Sequence, residues 1–247
     1  MRLLVFSDVH ANATALEAAL KACAGRWKRA VCLGDVVGYG PDPNEVVEQV
    51  RPLVSVMVRG NHDQAASGAA DLEVFNPAAR AAVEWTRRQL RPENIVYLRN
   101  LPGGPIEMDG VVLVHGSVRD EDEYVFTPEQ ALESLLASPQ PITFFGHTHM
   151  QGGFAFRDEK IERIDVAPRP GAKVATLRLE ANTRYLLNPG SIGQPRDGDP
   201  RAAFAIADLD EGTVEFWRAP YDISAVQDRM ERAGAPEGLV FRLAFGR

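Results

Sequence analysis

Eight side chains of metal-binding type sit at the ends of five short apolar runs: Asp8 and His10, then Asp35, Asn61 with His62, His115, and finally His147 with His149. All five histidines of the chain are in this set, so none remains for a helix face or a core. A single Gly-Asp or Asp-Val-His is an ordinary polar turn. Gly-Asn-His-Asp at 60–63 and Gly-His-Thr-His at 146–149 are more specific, and five such turns in order, each after its own run, point to one site. Mixed imidazole and carboxylate donors suit Mn, Fe, Co, Ni or Zn in the divalent state. The lack of thiolates separates the set from a structural zinc site.

The runs that must hold these residues are Arg2–Phe6, Ala30–Leu33, Val54–Val58, Val111–Val114 and Ile142–Phe145. Their near-continuous β-branched and aromatic composition suits strands buried on both faces. Asn12–Ala24 reads as a helix, with Asn12 as N-cap and Ala15, Leu16, Ala19, Leu20 and Cys23 on one face. Asn44–Val50 and Ala78–Leu90 are further helices, the second entered through Asn76-Pro77. Strand alternating with helix predicts a parallel α/β core, in which ligands gather beyond the carboxyl ends of the strands. After Gly146 the strand-like segments 153–156, 160–166, 174–179, 184–187, 203–207 and 213–218, joined by short turns, predict a largely antiparallel half. A last helix is expected over Ile223–Ala233. No repeat or linker divides the chain, so one domain over 1–247 is expected.

Hydrophobic residues make up 45% and charged residues 25% of the 247, an ordinary globular balance. No stretch approaches the roughly 18 apolar residues that cross a membrane. The apolar start of the chain reaches Asp8 before a signal-peptide core could form, which gives a cytoplasmic expectation. Cys23 and Cys32 fit that compartment as buried, unpaired thiols. A net charge of −7 argues against a general nucleic-acid binder. The cluster Arg87, Arg88 and Arg91 reads as a solvated helix face, and Asp120–Glu123 as a solvated loop.

Taken together, Asp8-x-His10, Gly34-Asp35, Gly60-Asn61-His62-Asp63, Val114-His115-Gly116 and Gly146-His147-Thr148-His149 resemble the calcineurin-like metallophosphoesterase superfamily across nearly the whole chain. The segments Gly34–Pro43, His115-Gly116-Ser117 and Asn188–Gly198 resemble its small prokaryotic phosphodiesterase branch. One departure is Ala11, where the family usually has Gly; no ligand is lost by it.

The resemblance implies an α/β fold, a four-layer α/β/β/α sandwich with two mixed sheets. It also implies two divalent ions, Mn being the first expectation. One would take Asp8, His10, Asp35 and His149, and the other Asp35, Asn61, His115 and His147, with Asp35 bridging. His62 is implied to face the substrate phosphoryl group, oriented by Asp63. The implied activity is attack on a phosphodiester or dinucleoside polyphosphate by hydroxide shared between the ions. A phosphomonoesterase or protein phosphatase is the alternative. A non-catalytic scaffold of the same fold fits less well, because all eight site residues are present. Arg196 suits a phosphate oxygen, Tyr39 a base or simple packing, and Asn12 either substrate contact or helix capping. The expected partner is a small phosphoester or nucleotide, with no membrane and no general nucleic-acid binding.

Overall fold

The run Arg2–Phe6 forms a strand whose alternate side chains enter two different cores, and that division organises the molecule. The computed structural model describes residues 1–169 and 171–247. In chain order its elements begin β1 (Arg2–Phe6), α1 (Ala13–Ala22), β2 (Arg29–Cys32), α2 (Pro43–Leu53), β3 (Val56–Met57), α3 (Asn61–Ala66), α4 (Pro77–Gln89) and α5 (Pro92–Arg99). They continue β4 (Ile106–Met108), β5 (Val111–Leu113), α6 (Pro128–Ala137), β6 (Ile142–Phe144), β7 (Gly152–Arg157), β8 (Lys160–Ile164) and β9 (Val174–Arg178). The last are β10 (Arg184–Asn188), β11 (Ala202–Asp208), β12 (Thr213–Ala219), α7 (Ile223–Arg232) and α8 (Glu237–Leu243).

The strands form two six-stranded mixed sheets, β3-β2-β1-β11-β12-β9 and β4-β5-β6-β10-β7-β8. Leu3 and Val5 of β1 pack with Val111, Leu113, Phe144 and Leu187 in the core between the sheets. Leu4 and Phe6 belong instead to the core shared with Leu16 of α1, Val46 and Val50 of α2 and Val83 of α4. On the far side, Val112 and Leu186 pack with Ala131 and Leu135 of α6. The layers are therefore helix, sheet, sheet, helix. Among the described residues no helix is long and apolar enough to cross a membrane. Cys23 and Cys32 are buried and unpaired.

The ligand-bearing strands do not form one parallel core. β1 pairs in parallel with β2, and β2 with β3, but β11 lies antiparallel on the other edge of β1, with Leu4 opposite Ile206. β5 and β6 pair in parallel in the second sheet. The C-terminal strands are antiparallel except β10, which runs parallel to β6. An apolar run buried on both faces looks the same in either sheet, so its composition does not reveal which one it joins.

The helices α3, α5, α6 and α8 were not expected from the sequence pattern. For α6 the signal was present in Thr127-Pro-Glu-Gln130. The Thr127 hydroxyl accepts from the Gln130 N–H at 3.3 Å, and the Gln130 side chain accepts from the Thr127 N–H at 3.1 Å.

Candidate metal centre

Each strand end turns sharply to deliver its ligand. Asp8, His10, Asp35, His147 and His149 all have left-handed backbone, with φ of 54°, 47°, 55°, 65° and 60°. Such conformations cost about 1–3 kcal/mol each and persist where the surroundings dictate them. The strands on either side supply that constraint, since each fully buried Leu or Phe contributes about 1.5–3 kcal/mol. At Gly60 a Cβ would lie 2.1 Å from Asp35 Oδ1, so only glycine lets the 60–63 turn close on the 34–37 turn.

Asp63 fastens those two turns together. Its Oδ2 accepts from the Asp35 N–H at 2.8 Å and the Gly60 N–H at 3.1 Å, and its Oδ1 from Val36 at 3.0 Å and Val37 at 3.3 Å. This corrects the expectation that Asp63 orients His62: the carboxylate is taken up by four backbone donors and makes no bond to the His62 ring. It positions Asp35. Asp63→Asn, which sets an NH2 group against those donors, is expected to lower stability by about 1–3 kcal/mol. The urea midpoint measures this, and an unchanged midpoint would rule the fastening role out.

Four imidazoles are arranged in two pairs. Nδ1 of His10 donates to Val37 O at 3.0 Å, and Nδ1 of His149 to Gln194 O at 2.7 Å. Their Nε2 atoms then face each other at 3.0 Å. In the second pair, Nδ1 of His115 donates to Leu33 O at 2.8 Å and Nε2 of His147 to Asp122 O at 3.1 Å. His115 Nε2 and His147 Nδ1 face each other, again at 3.0 Å. A carbonyl only accepts, so in each neutral ring it fixes the proton on the outer nitrogen and leaves a lone pair inward. Burial pushes His10 and His149 well below the ordinary imidazole range, and His147 down to about 3. Burial also opposes charge on His115, but the Asp35 carboxylate wins and raises it to about 10.

The carboxylates repeat the pattern. Oδ2 of Asp8 accepts from the His147 N–H at 3.2 Å, and Oδ1 of Asp35 from the His62 N–H at 2.9 Å. The other oxygens, Asp8 Oδ1 and Asp35 Oδ2, are buried without a hydrogen-bond partner, as is Asn61 Oδ1. Asp8 Oδ1 lies 3.3 Å from His149 Nε2, and Asp35 Oδ2 lies 3.7 Å from His10 Nε2 and 3.5 Å from His115 Nε2. Two clusters result, Asp8, His10, Asp35 and His149, and Asp35, His115 and His147, with Asp35 common to both. With all four rings neutral these acceptors face one another with no donor between them, which is costly, and in the second cluster a proton on His115 beside Asp35 meets that cost. Divalent cations remove that cost, and two nitrogens 3.0 Å apart suit one ion at about 2.1 Å from each. The residues present therefore fit two metal ions.

His62 stands beside the clusters and belongs to neither. Its ring packs edge-on to His10 at 4.9 Å and against Tyr39 at 4.4 Å, and its Nδ1 has no partner. Burial lowers its pKa to about 4. Tyr39 lies between the histidines and two guanidinium groups: Arg196 is 5.7 Å and Arg242 4.9 Å from its ring centre. Of the two readings open for Asn12, the structure realises the cap. Its Oδ1 accepts from Ala15 N–H at 3.0 Å and its Nδ2 donates to Gly193 O at 3.1 Å, so its polar ends are engaged within the protein rather than offered to substrate.

Three site features had no counterpart in the sequence pattern. Arg242 reaches the site from α8, near the end of the chain. Tyr124 stacks on the His147 ring at 3.7 Å, and Phe126 stacks on Tyr124 at 5.6 Å. The loop at 120–123 is part of the site rather than merely solvated, since Asp122 O holds His147 and Glu121 forms a two-bond pair with Arg59. Arg87 likewise does more than face solvent, donating to Ala65 O at 2.7 Å and Ala70 O at 3.0 Å behind α3. Backbone carbonyl partners carry no residue signature, and an isolated Arg or Tyr at no set spacing has none to read.

Residues 1–212 match the calcineurin-like phosphoesterase superfamily domain. A metallophosphoesterase structure from Sphaerobacter thermophilus superposes with a TM-score of 0.85 at 42% identity, covering 100% of this chain and 99% of that one. A hypothetical protein from Pyrococcus horikoshii shares the fold with a TM-score of 0.79 at 21% identity, covering 100% and 98%. An uncharacterized protein of Methanocaldococcus jannaschii is 33% identical over 99% of this chain and 98% of its own.

Proposed function

The chain belongs to the calcineurin-like phosphoesterase superfamily, and from that premise we propose that it is a two-metal hydrolase favouring a phosphodiester or dinucleoside polyphosphate. The observation that carries the reading is the pair of buried, inward-facing lone-pair clusters sharing Asp35. Asp8, His10, Asp35 and His149 would hold one cation, and Asp35, Asn61, His115 and His147 the other. Cations in such a site lower the pKa of water toward about 7 and offset the charge of an anionic ester.

The chain's own groups do the rest. His62 has no carbonyl tying its Nδ1 and is neutral at pH 7, so it serves as a hydrogen-bond donor to a phosphoryl oxygen. Arg196 adds a guanidinium suited to a further phosphate oxygen of the substrate. A diester also needs a surface for its second organic arm. Tyr124 and Phe126, 42% and 46% exposed, lead outward from His147 as an aromatic ladder. Stacking a base on such a ring contributes about 1–3 kcal/mol. The ladder favours the diester over the monoester reading.

In Mn-containing buffer, kcat/KM for bis-p-nitrophenyl phosphate and for a diadenosine polyphosphate is expected to exceed that for p-nitrophenyl phosphate. Arg196→Ala and Tyr39→Ala should each narrow the gap while metal content stays unchanged. Preference for the monoester, unaltered by either substitution, would hand the assignment to a phosphomonoesterase.

A further inference from the structure

Arg196 and Arg242 come from separate segments, one in the loop after β10 and the other in α8, yet both donate to the same oxygen, Gln194 Oε1, with Arg196 at 3.0 Å. Arg196 also reaches the Tyr39 hydroxyl at 3.4 Å. Elsewhere on this side of the molecule, arginines are matched with carboxylates, Arg218 with Asp197 and Arg229 with Asp42 at 2.9 Å. Among the described residues, neither Arg196 nor Arg242 has a carboxylate within 4.0 Å.

The unmet hydrogen-bonding capacity is all of one kind. The Nε of Arg196, the Nε of Arg242 and the Nε2 of Gln194 are buried without a partner, and Gln194 itself is 1% exposed. Two like charges sharing one neutral acceptor, with further donors unsatisfied, are unfavourable unless an anion completes the set. Burial and the neighbouring Arg196 both disfavour the charge on Arg242, and an anion relieves both effects. A guanidinium fork matches phosphate geometry better than any other side chain does. The ring of Tyr39 ties this cluster to the metal centre. One ring contacts both guanidinium groups and, at 4.7 and 4.4 Å, the His10 and His62 rings.

We propose that Arg196, Arg242 and Gln194 form an anion subsite beside the metal centre that takes a second phosphoryl group of the substrate. The preferred ester then carries at least two linked phosphorus centres and is not a simple diester. The inference rests on the phosphoesterase reading for which substrate is cleaved, but the subsite is testable by binding alone.

The test measures dissociation constants of imidodiphosphate and orthophosphate on the Mn-loaded protein by calorimetry, at fixed free Mn, for the unmodified chain, Arg242→Gln and Arg242→Lys. Arg242→Gln is expected to weaken imidodiphosphate by about 10–100-fold, the span of lost charge-assisted hydrogen bonds. Orthophosphate, small enough to bind at the metals alone, should weaken by less than about threefold, and Arg242→Lys should recover part of the loss. Thermal melts show whether each variant is folded, and the Lys variant decides the matter should the Gln variant not fold. Equal weakening of both anions, or none, overturns the subsite. Turnover of a diadenosine polyphosphate and of bis-p-nitrophenyl phosphate by the unmodified chain reports separately on the phosphoesterase reading: no turnover of either, with intact discrimination between the two anions, would sink that reading and leave the subsite standing.

Discussion

Asp35→Asn is expected to remove both metal ions from the protein together. Asp35 is the one residue common to both ligand clusters, and its Oδ2 is the unpartnered oxygen lying between His10 at 3.7 Å and His115 at 3.5 Å. Its Oδ1 accepts from the His62 N–H, a bond that an amide oxygen can keep, so the turn survives while the charge and one inward acceptor are lost. Residues that only orient a metal ligand are worth about 10–100-fold in affinity. A bridging carboxylate should therefore cost more than about 100-fold at each position, with hydrolysis falling accordingly. Asn61, whose buried Oδ1 has no partner, would hold one ion only, so Asn61→Ala should weaken that ion and spare the other. Elemental analysis after reconstitution with Mn counts them. Retention of two ions by Asp35→Asn, or no more than one tightly held ion in the unmodified protein at saturating Mn, would end the two-metal proposal.

The second large effect separates ligand from catalyst. His62→Ala should keep its full metal content and lose roughly 10²–10⁴-fold in kcat, the range for a positioned proton-transfer or hydrogen-bonding group. The geometry behind this is specific. Among the described residues His62 is the only histidine outside the two clusters, and its Nδ1 is unpartnered where every other ring is held by a carbonyl. His147→Ala, by contrast, should lose metal and activity together, because His147 faces His115 and is held by Asp122 O. Should His62→Ala release an ion and retain its turnover per bound metal, His62 would be a ligand and not a catalyst.

The eight site residues were legible because each stands where an apolar run stops in polar residues, and ligands of α/β sheets gather beyond the carboxyl ends of the strands. Asp63 was legible as a site residue but not in its role, and for Asn12 the helix cap was legible but not whether the side chain also served substrate. Both sit within motifs, and both have a polar side chain that fits a functional role. Which role each plays depends on what approaches it. For Asp63 it is four N–H groups of two turns, and for Asn12 the first turn of α1 and the carbonyl of Gly193, 181 residues away. Tyr124 and Arg242 belong to the site for the converse reason. Neither lies in a motif, and only the packing of the 120–126 loop on His147 and of α8 near Tyr39 brings them there.

The sequence by itself determined the ligand types, their order, and the strands that carry them. Alternation of apolar and polar character is a local property, and donor chemistry is a property of the side chain. The tertiary structure alone decided three things. It distributed the ligand strands over two sheets, with β1, β2 and β3 in one and β5 and β6 in the other, so that the site forms where the sheets meet. It placed a backbone carbonyl 25 to 82 residues distant against the outer nitrogen of each of the four clustered imidazoles, a partner that any residue type can supply. It also gathered Arg196, Gln194 and Arg242 into one set of unmet donors around Tyr39. These all depend on long-range approach, which is set by the packing of whole layers and leaves no local trace in composition or spacing.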